Sequence, residues 1–227
     1  MLKEKTCGRS AFTNEGPSAA PLGLTSMAAD PRLSAMIAHS NMRSLTKDLA
    51  KDLMFAECYI ETERLVLRPL HLDDYDDYAM MLSDPDAFTY SERGPMTSDE
   101  IFTRLLRHVG HWVLLDHGLF AVFEKDSGRF VGEVGFGDFR RQLGDRFDAH
   151  PEACWTIARP YQGRGYASEA ARAALDFVTE RTGSRRTVCL VHHKNDASIH
   201  IATKLGFHPF DERVYRGYRA MLFSRDI

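Results

Sequence analysis

The 227-residue chain carries a formal net charge of -3, with 44% hydrophobic and 27% charged side chains, the balance of an ordinary soluble globular protein with one main domain. That charge leaves no basic footprint for nucleic acid, and no apolar run approaches the roughly 20 residues a membrane-spanning helix needs. The cysteines Cys7, Cys58, Cys154 and Cys189 form no C-x-x-C pair, which speaks against a zinc cage or redox dithiol and for buried thiols in a reducing compartment.

Residues 1–57 read as an N-terminal extension ahead of one domain over residues 58–227. Its first half is rich in Gly, Pro, Ser and Ala without periodicity, so disorder is expected there. It has no continuous hydrophobic region, which argues against a secretory leader and for a cytoplasmic protein. Asp30-Pro31 then offers a helix start, and Leu33, Met36, Ile37, Leu45, Leu49 and Leu53 suggest one or two short amphipathic helices over residues 29–54. The preferred reading of this stretch is an upstream extension without function.

From Ile60 the texture changes. Glu63 to Arg68 alternates polar and apolar side chains and ends at Pro69, as a strand does. A short helix over residues 73–82, acidic in its first turn, is stopped by Asp84-Pro85. Thr97-x-x-Glu100 is a capping box ahead of Ile101, Leu105, Val109 and Trp112, and it predicts a helix over 98–114. Strands over 119–124 and 129–136 flank the turn Asp126-Ser127-Gly128, and a polar loop fills 137–150.

The apolar run Trp155 to Ala158 halts at Arg159-Pro160, and the glycine-rich Gln162-Gly163-Arg164-Gly165 follows. An alanine-rich helical pattern then runs to Gly183. Strand, loop and helix in this order suit an anion, because the first helical amides lack intrahelical partners and carry the positive end of the helix dipole. Gly163 and Gly165 let a phosphate approach the main chain without meeting a Cβ. Neither standard nucleotide motif is met, so on physics alone a plain turn that needs glycine explains the loop equally well. Beyond it come a buried strand at 187–191, a short helix from Asn195 to Lys204, and a hairpin around Arg216-Gly217.

Gln162-x-x-Gly165-x-Ala167 resembles the acetyl-CoA pyrophosphate loop of the GNAT N-acyltransferase superfamily. The wider string from Glu152 to Ala170, the opening T-E-R-L-x-L-R-P and the later N-x-x-S-I-x-x-x-x-K-L-G-F are similar to its RimJ/RimL-type branch, which acetylates amino groups such as protein N-termini. The resemblance implies an α/β GNAT fold: a mixed, mostly antiparallel sheet of about seven strands with helices on both faces. It implies acetyl-CoA as co-substrate, held by Gln162, Gly163, Arg164, Gly165, Tyr166, Ala167 and Ser168, with Asn195 and Ser198 on the pantetheine arm. It also places the acceptor amine near Tyr90, Ser91, Glu92 and Arg93.

Acyl transfer to an amine needs a neutral nitrogen, and α-amines and lysines have pKa values of roughly 8 and 10.4. A carboxylate acting directly or through water can take the proton. Glu133 and Glu152 are the candidates, with Glu152 slightly ahead because the branch usually carries Glu there; a surface carboxylate is the plain alternative for either. The resemblance points the thioester carbonyl at the backbone amide of Ile157 or a neighbour. Many family members carry a Tyr on the last helix to assist the leaving thiol, but here that position is Ala202, which leaves Ser198 as the hydroxyl near the sulfur. His192-His193 is a poor metal pair because adjacent strand residues face opposite ways, so no metal is expected.

The expected activity is acetyl transfer from acetyl-CoA to a protein or small-molecule amine by direct attack in a ternary complex. The expected partners are that acceptor, with no nucleic acid and no membrane; a homodimer stays open. The alternative is a non-catalytic acyl-CoA sensor or interaction domain of the same fold, as the missing Tyr would allow. An unrelated phosphate-binding protein would show no preference for CoA over ATP.

Overall fold

A computed structural model of the chain describes residues 58–90 and 94–227, so the expectations for residues 1–57 and for Ser91, Glu92 and Arg93 lie outside the described residues. The strands are β1 (Ile60–Glu61), β2 (Leu65–Pro69), β3 (Leu119–Glu124), β4 (Phe130–Gly137), β5 (Glu152–Ile157), β6 (Arg186–His192), β7 (His208–Tyr215) and β8 (Tyr218–Asp226). They form a sheet of order β1-β2-β3-β4-β5-β6-β8-β7. Every neighbouring pair is antiparallel except β5 with β6. This is the expected mixed sheet, with the two-residue β1 as an eighth strand at the edge.

The helices are α1 (Tyr75–Leu82), α2 (Ser98–Leu115), the single turn α3 (Asp145–Asp148), α4 (Tyr166–Thr182) and α5 (Asp196–Lys204). The capping box forms as the sequence predicts, with the Thr97 amide donating to Glu100 Oε2 at 3.0 Å. Gly183, at φ 63°, ends α4 in the left-handed conformation that glycine adopts without penalty. On one sheet face α4 lies close because Ala170, Ala171 and Ala174 are its contact residues, and Leu175 and Val178 complete the packing. Burying each of the larger pair stabilises the fold by about 1.5–3 kcal/mol. On the other face α1 and α2 bury Tyr78, Met81, Leu82, Ile101 and Leu105 against Ala121 and Phe130. Among the described residues no helix is long and apolar enough to cross a membrane.

One irregularity positions the site. β5 and β6 share a single bridge, Glu152 with Val188, reinforced by the Val188 amide donating to the Pro151 carbonyl at 3.0 Å. Beyond it the two parallel strands separate, while β6 stays paired with β8 along its whole length. The sheet therefore opens between β5 and β6 toward Ile157.

Candidate active site

The carboxyl end of β5 leads directly into the glycine loop. Gly163 and Gly165 have φ of 75° and 83°, so both occupy the left-handed region that the sequence reserves for glycine. Gly165 is the N-cap of α4 and offers no side-chain cap, and Glu169 N–H donating to Gly165 O is the bond that opens the helix ladder. The amides before Glu169 accordingly have no partner within the helix.

Side chains from distant strands hold this loop. Glu169, in the first turns of α4, accepts from Thr62 Oγ1 at 2.6 Å, from the Arg64 amide at 2.9 Å and from Arg64 Nε at 2.7 Å. Arg64 Nη1 also donates to the Arg164 carbonyl at 2.9 Å. On the other side Tyr166 Oη donates to Glu124 Oε1 at 2.5 Å, and Arg164 lies 3.6 Å from the same carboxylate. Of the residues expected to grip a cofactor, Gln162 and Tyr166 thus turn their side chains to the protein: Gln162 Nε2 donates to the Ile157 carbonyl at 2.8 Å. Asn195 caps α5, its Oδ1 accepting from the Ser198 amide at 3.0 Å.

Strand alternation sorts the remaining candidates. The Ala158 amide donates to Val131 O in the β4 ladder, and the register pairs Glu133 with Thr156 and Gly135 with Cys154. The backbone amides of Trp155 and Ile157 therefore point the opposite way, toward the opening. Their side chains face α4 and α5, and Trp155 Nε1 donates to Ser198 Oγ at 3.2 Å. Glu152, Cys154 and Thr156 face α1 and α2, as Glu133 does.

Glu133 is buried and surrounded by donors. Tyr78 Oη donates to it at 2.8 Å, Arg104 Nη2 makes a very short bond, Thr156 Oγ1 lies at 3.4 Å and His108 Nε2 at 3.5 Å. Burial resists ionisation, yet Arg104 outweighs it and holds the carboxyl down at about 2. Burial pushes His108 to about 3, so its ring stays neutral. Glu152 is also buried, and the cation bonded to it is Arg141, whose Nε donates at 2.6 Å. There burial wins and lifts the carboxyl above its ordinary range against the pull of Arg141. Arg141 is in turn tied to Tyr215 Oη at 3.0 Å.

Neither carboxylate is therefore a surface group. Sequence reasoning missed Tyr78, Arg104 and Arg141, the partners that set the charge of both. Arg104 had a signal, since it lies on the inward stripe of α2 between Ile101 and Leu105 and a cation there demands a buried counter-charge. Tyr90 packs its ring on His192, 5.5 Å between centroids, and His192 reaches Tyr218 at 5.3 Å. Tyr90 therefore sits beside the carboxyl end of β6. Among the described residues no group of His, Cys, Asp and Glu is placed to hold a metal ion.

The profile of the GNAT acetyltransferase domain matches residues 64–208, the stretch that contains both the opening and the loop. The chain belongs to the GNAT acetyltransferase family. A Bacillus licheniformis protein named as an N-acetyltransferase, p20, is 26% identical over 147 residues, 64% of this chain and 80% of that relative. Among solved structures, a protein of Bordetella pertussis named as a GnaT-family acetyltransferase is 32% identical with a TM-score of 0.67, covering 74% of this chain and 98% of that one. The ribosomal L7/L12 α-N-protein acetyltransferase RimL, solved with coenzyme A, shares the fold at 14% identity and a TM-score of 0.62, covering 74% and 98%. The GNAT chain is accordingly an acetyltransferase, and members of this family draw on acetyl-CoA.

Proposed function

We propose that this GNAT enzyme transfers the acetyl group of acetyl-CoA to a primary amine, a protein N-terminus or a small-molecule amine, by direct attack in a ternary complex, after the manner of the RimJ/RimL-type branch. The observation that carries this reading is the opening between β5 and β6 beside the glycine loop. A pantetheine arm is extended and carries amides, so it can take the place of a missing strand against the free edge at Trp155 and Ile157. The amides from Gly163 to Ser168 then receive the pyrophosphate, with Gln162 and Asn195 shaping the two ends of the arm's path.

In this reading the thioester carbonyl accepts from the Trp155 or Ile157 amide, the two that point into the opening, and the developing oxyanion is stabilised there. The amine attacks, the C–N bond forms, the C–S bond breaks, and the thiolate departs beside Ser198. Glu152 takes the ammonium proton. Its raised proton affinity suits a base, whereas Glu133, held at about 2, is a weak proton acceptor and instead orders the acceptor side. Glu152 lies three positions from Trp155, about 10 Å along a strand, so the proton passes through water. Tyr90 lines the acceptor approach. The name of the RimL relative supports a protein α-amine as one acceptor class.

Calorimetry with acetyl-CoA, followed by thiol release over a panel of amines and N-terminal peptides, tests the reading. Binding in preference to ATP with turnover on one acceptor class is expected; binding without any turnover would leave the sensor reading standing instead. Glu152→Gln is expected to lower kcat about 100-fold. The deficit should narrow as pH approaches the pKa of the amine, about 8 for an α-amine, because the acceptor then arrives already neutral. An equal deficit at every pH would remove Glu152 as the base.

A further inference from the structure

We infer that Trp155 is a positioning residue that makes Ser198 a hydrogen-bond donor to the departing thiolate. The inference rests on the reading above, in which the sulfur lies beside Ser198, and it assigns a task to a side chain that nothing else in the site requires to be tryptophan. An indole N–H can only donate. With Trp155 Nε1 3.2 Å from Ser198 Oγ, the serine oxygen must be the acceptor of that bond. The Ser198 amide is already committed to the Asn195 cap, which fixes the start of α5 and so the place of Oγ.

A free serine hydroxyl rotates between donating and accepting roles. Trp155 removes that freedom by occupying a lone pair of Oγ, and the hydroxyl proton is left to point elsewhere. Trp155 projects from β5 and Ser198 from the first turn of α5, the helix that follows β6. Their bond therefore links the two sides of the opening where the strands part, and in this inference the hydroxyl proton is left for the sulfur of the thioester. In the reaction the C–S electron pair moves onto sulfur and the sulfur accepts a hydrogen bond from Ser198 Oγ–H. Serine keeps its proton, so no further acid or base is consumed; the proton lost by the amine leaves through Glu152 and solvent. Ala202, one turn further along α5, has no hydroxyl, so this donor does not duplicate another at that position.

The direct test is the thiol of bound CoA, titrated by the ultraviolet absorbance of its thiolate. A donor to the thiolate lowers the thiol's apparent pKa, and Ser198→Ala should raise it toward the value of CoA free in solution. Trp155→Phe keeps the ring and removes only the donor. It should raise the same pKa and lower kcat about fivefold, the cost of one hydrogen bond, with CoA affinity and melting temperature unchanged. The double variant should be no worse than Ser198→Ala alone, because the two side chains act as one unit. If Ser198→Ala moves the thiol pKa and Trp155→Phe leaves it in place, the role of Trp155 is overturned and that of Ser198 survives. If neither moves it while CoA still binds, the placement of the sulfur beside Ser198 is wrong.

Discussion

The glycine loop and the Glu133 pocket both adjoin the end of β5, where Thr156 reaches Glu133 and the Ile157 carbonyl holds Gln162, yet they are built in opposite ways. The loop is contiguous: Gln162 to Ser168 supply its amides, and two glycines in left-handed conformations set its shape. Its chemistry is backbone chemistry and needs no particular side chain at the point of contact. The pocket is composite. Tyr78 comes from α1, Arg104 and His108 from α2, Glu133 from β4 and Thr156 from β5. Its charge exists only because these segments meet, so the same substitution logic gives a binding defect in one region and a folding defect in the other.

The largest effect is expected at the loop. Gly165→Asp places a carboxylate where the phosphate would sit and an L side chain at φ 83°. Its Cβ would meet only the end of Arg64, at 3.5 Å, and the left-handed backbone costs it about 1–2 kcal/mol, so the fold is strained but should survive. Calorimetry is expected to show at least a 100-fold loss of CoA affinity, since an unpaired like charge at a binding site costs several kcal/mol. Unchanged affinity with an intact fold would show that the anion goes elsewhere and would break the division between the two regions.

In the pocket the expected defect is stability. Glu133 has a folded pKa near 2 against an ordinary 4.5, and that difference corresponds to about 3 kcal/mol of stabilisation. Because the folded value is the lower one, the contribution is fully present above about pH 4.5 and disappears as pH falls toward 2. His108 weakens the fold over a higher window: its ring is held neutral with a pKa of about 3, so unfolding gains protons as pH falls below the ordinary 6.5. Glu133→Gln should therefore lower stability at pH 7 by about 3 kcal/mol in urea titrations, with the gap to wild type closing between pH 4.5 and 2. A gap of the same size at both ends of that window would mean that shape, and not charge, anchors α1 and α2.

The same contrast explains what was legible in the sequence. The order of strands and helices along the chain, the capping box, the glycine loop and the alanine face of α4 are local patterns, and each appears where the spacing places it. The clamp on the loop is not local: Thr62 and Arg64 meet Glu169 across more than a hundred residues, so the opening T-E-R-L could be matched to a family without its purpose being visible. The polar stretch after β4 hides structure for a related reason. Asp148 accepts from the amides of Gln142, Leu143 and Gly144 at 3.1, 2.5 and 2.8 Å. That closes the loop and brings Arg141 to Glu152, although no periodic pattern announces it. A pKa depends on such partners, which is why two carboxylates that look alike in sequence end with their proton affinities displaced in opposite directions.

The smallest expected effect lies at Tyr90, proposed above to line the acceptor approach. Tyr90 is 42% exposed and makes one ring contact with His192, tilted at 37°. Such an aromatic contact contributes about 0.5–1.5 kcal/mol, so Tyr90→Ala should raise KM for the amine by roughly 2- to 10-fold while leaving KM for acetyl-CoA and the melting temperature near wild type. This separates acceptor recognition from the buried Glu133 pocket, because Glu133→Gln must lower stability whichever amine is used. Were Tyr90→Ala to weaken acetyl-CoA binding and leave the amine KM alone, this position would belong to the cofactor and not to the acceptor.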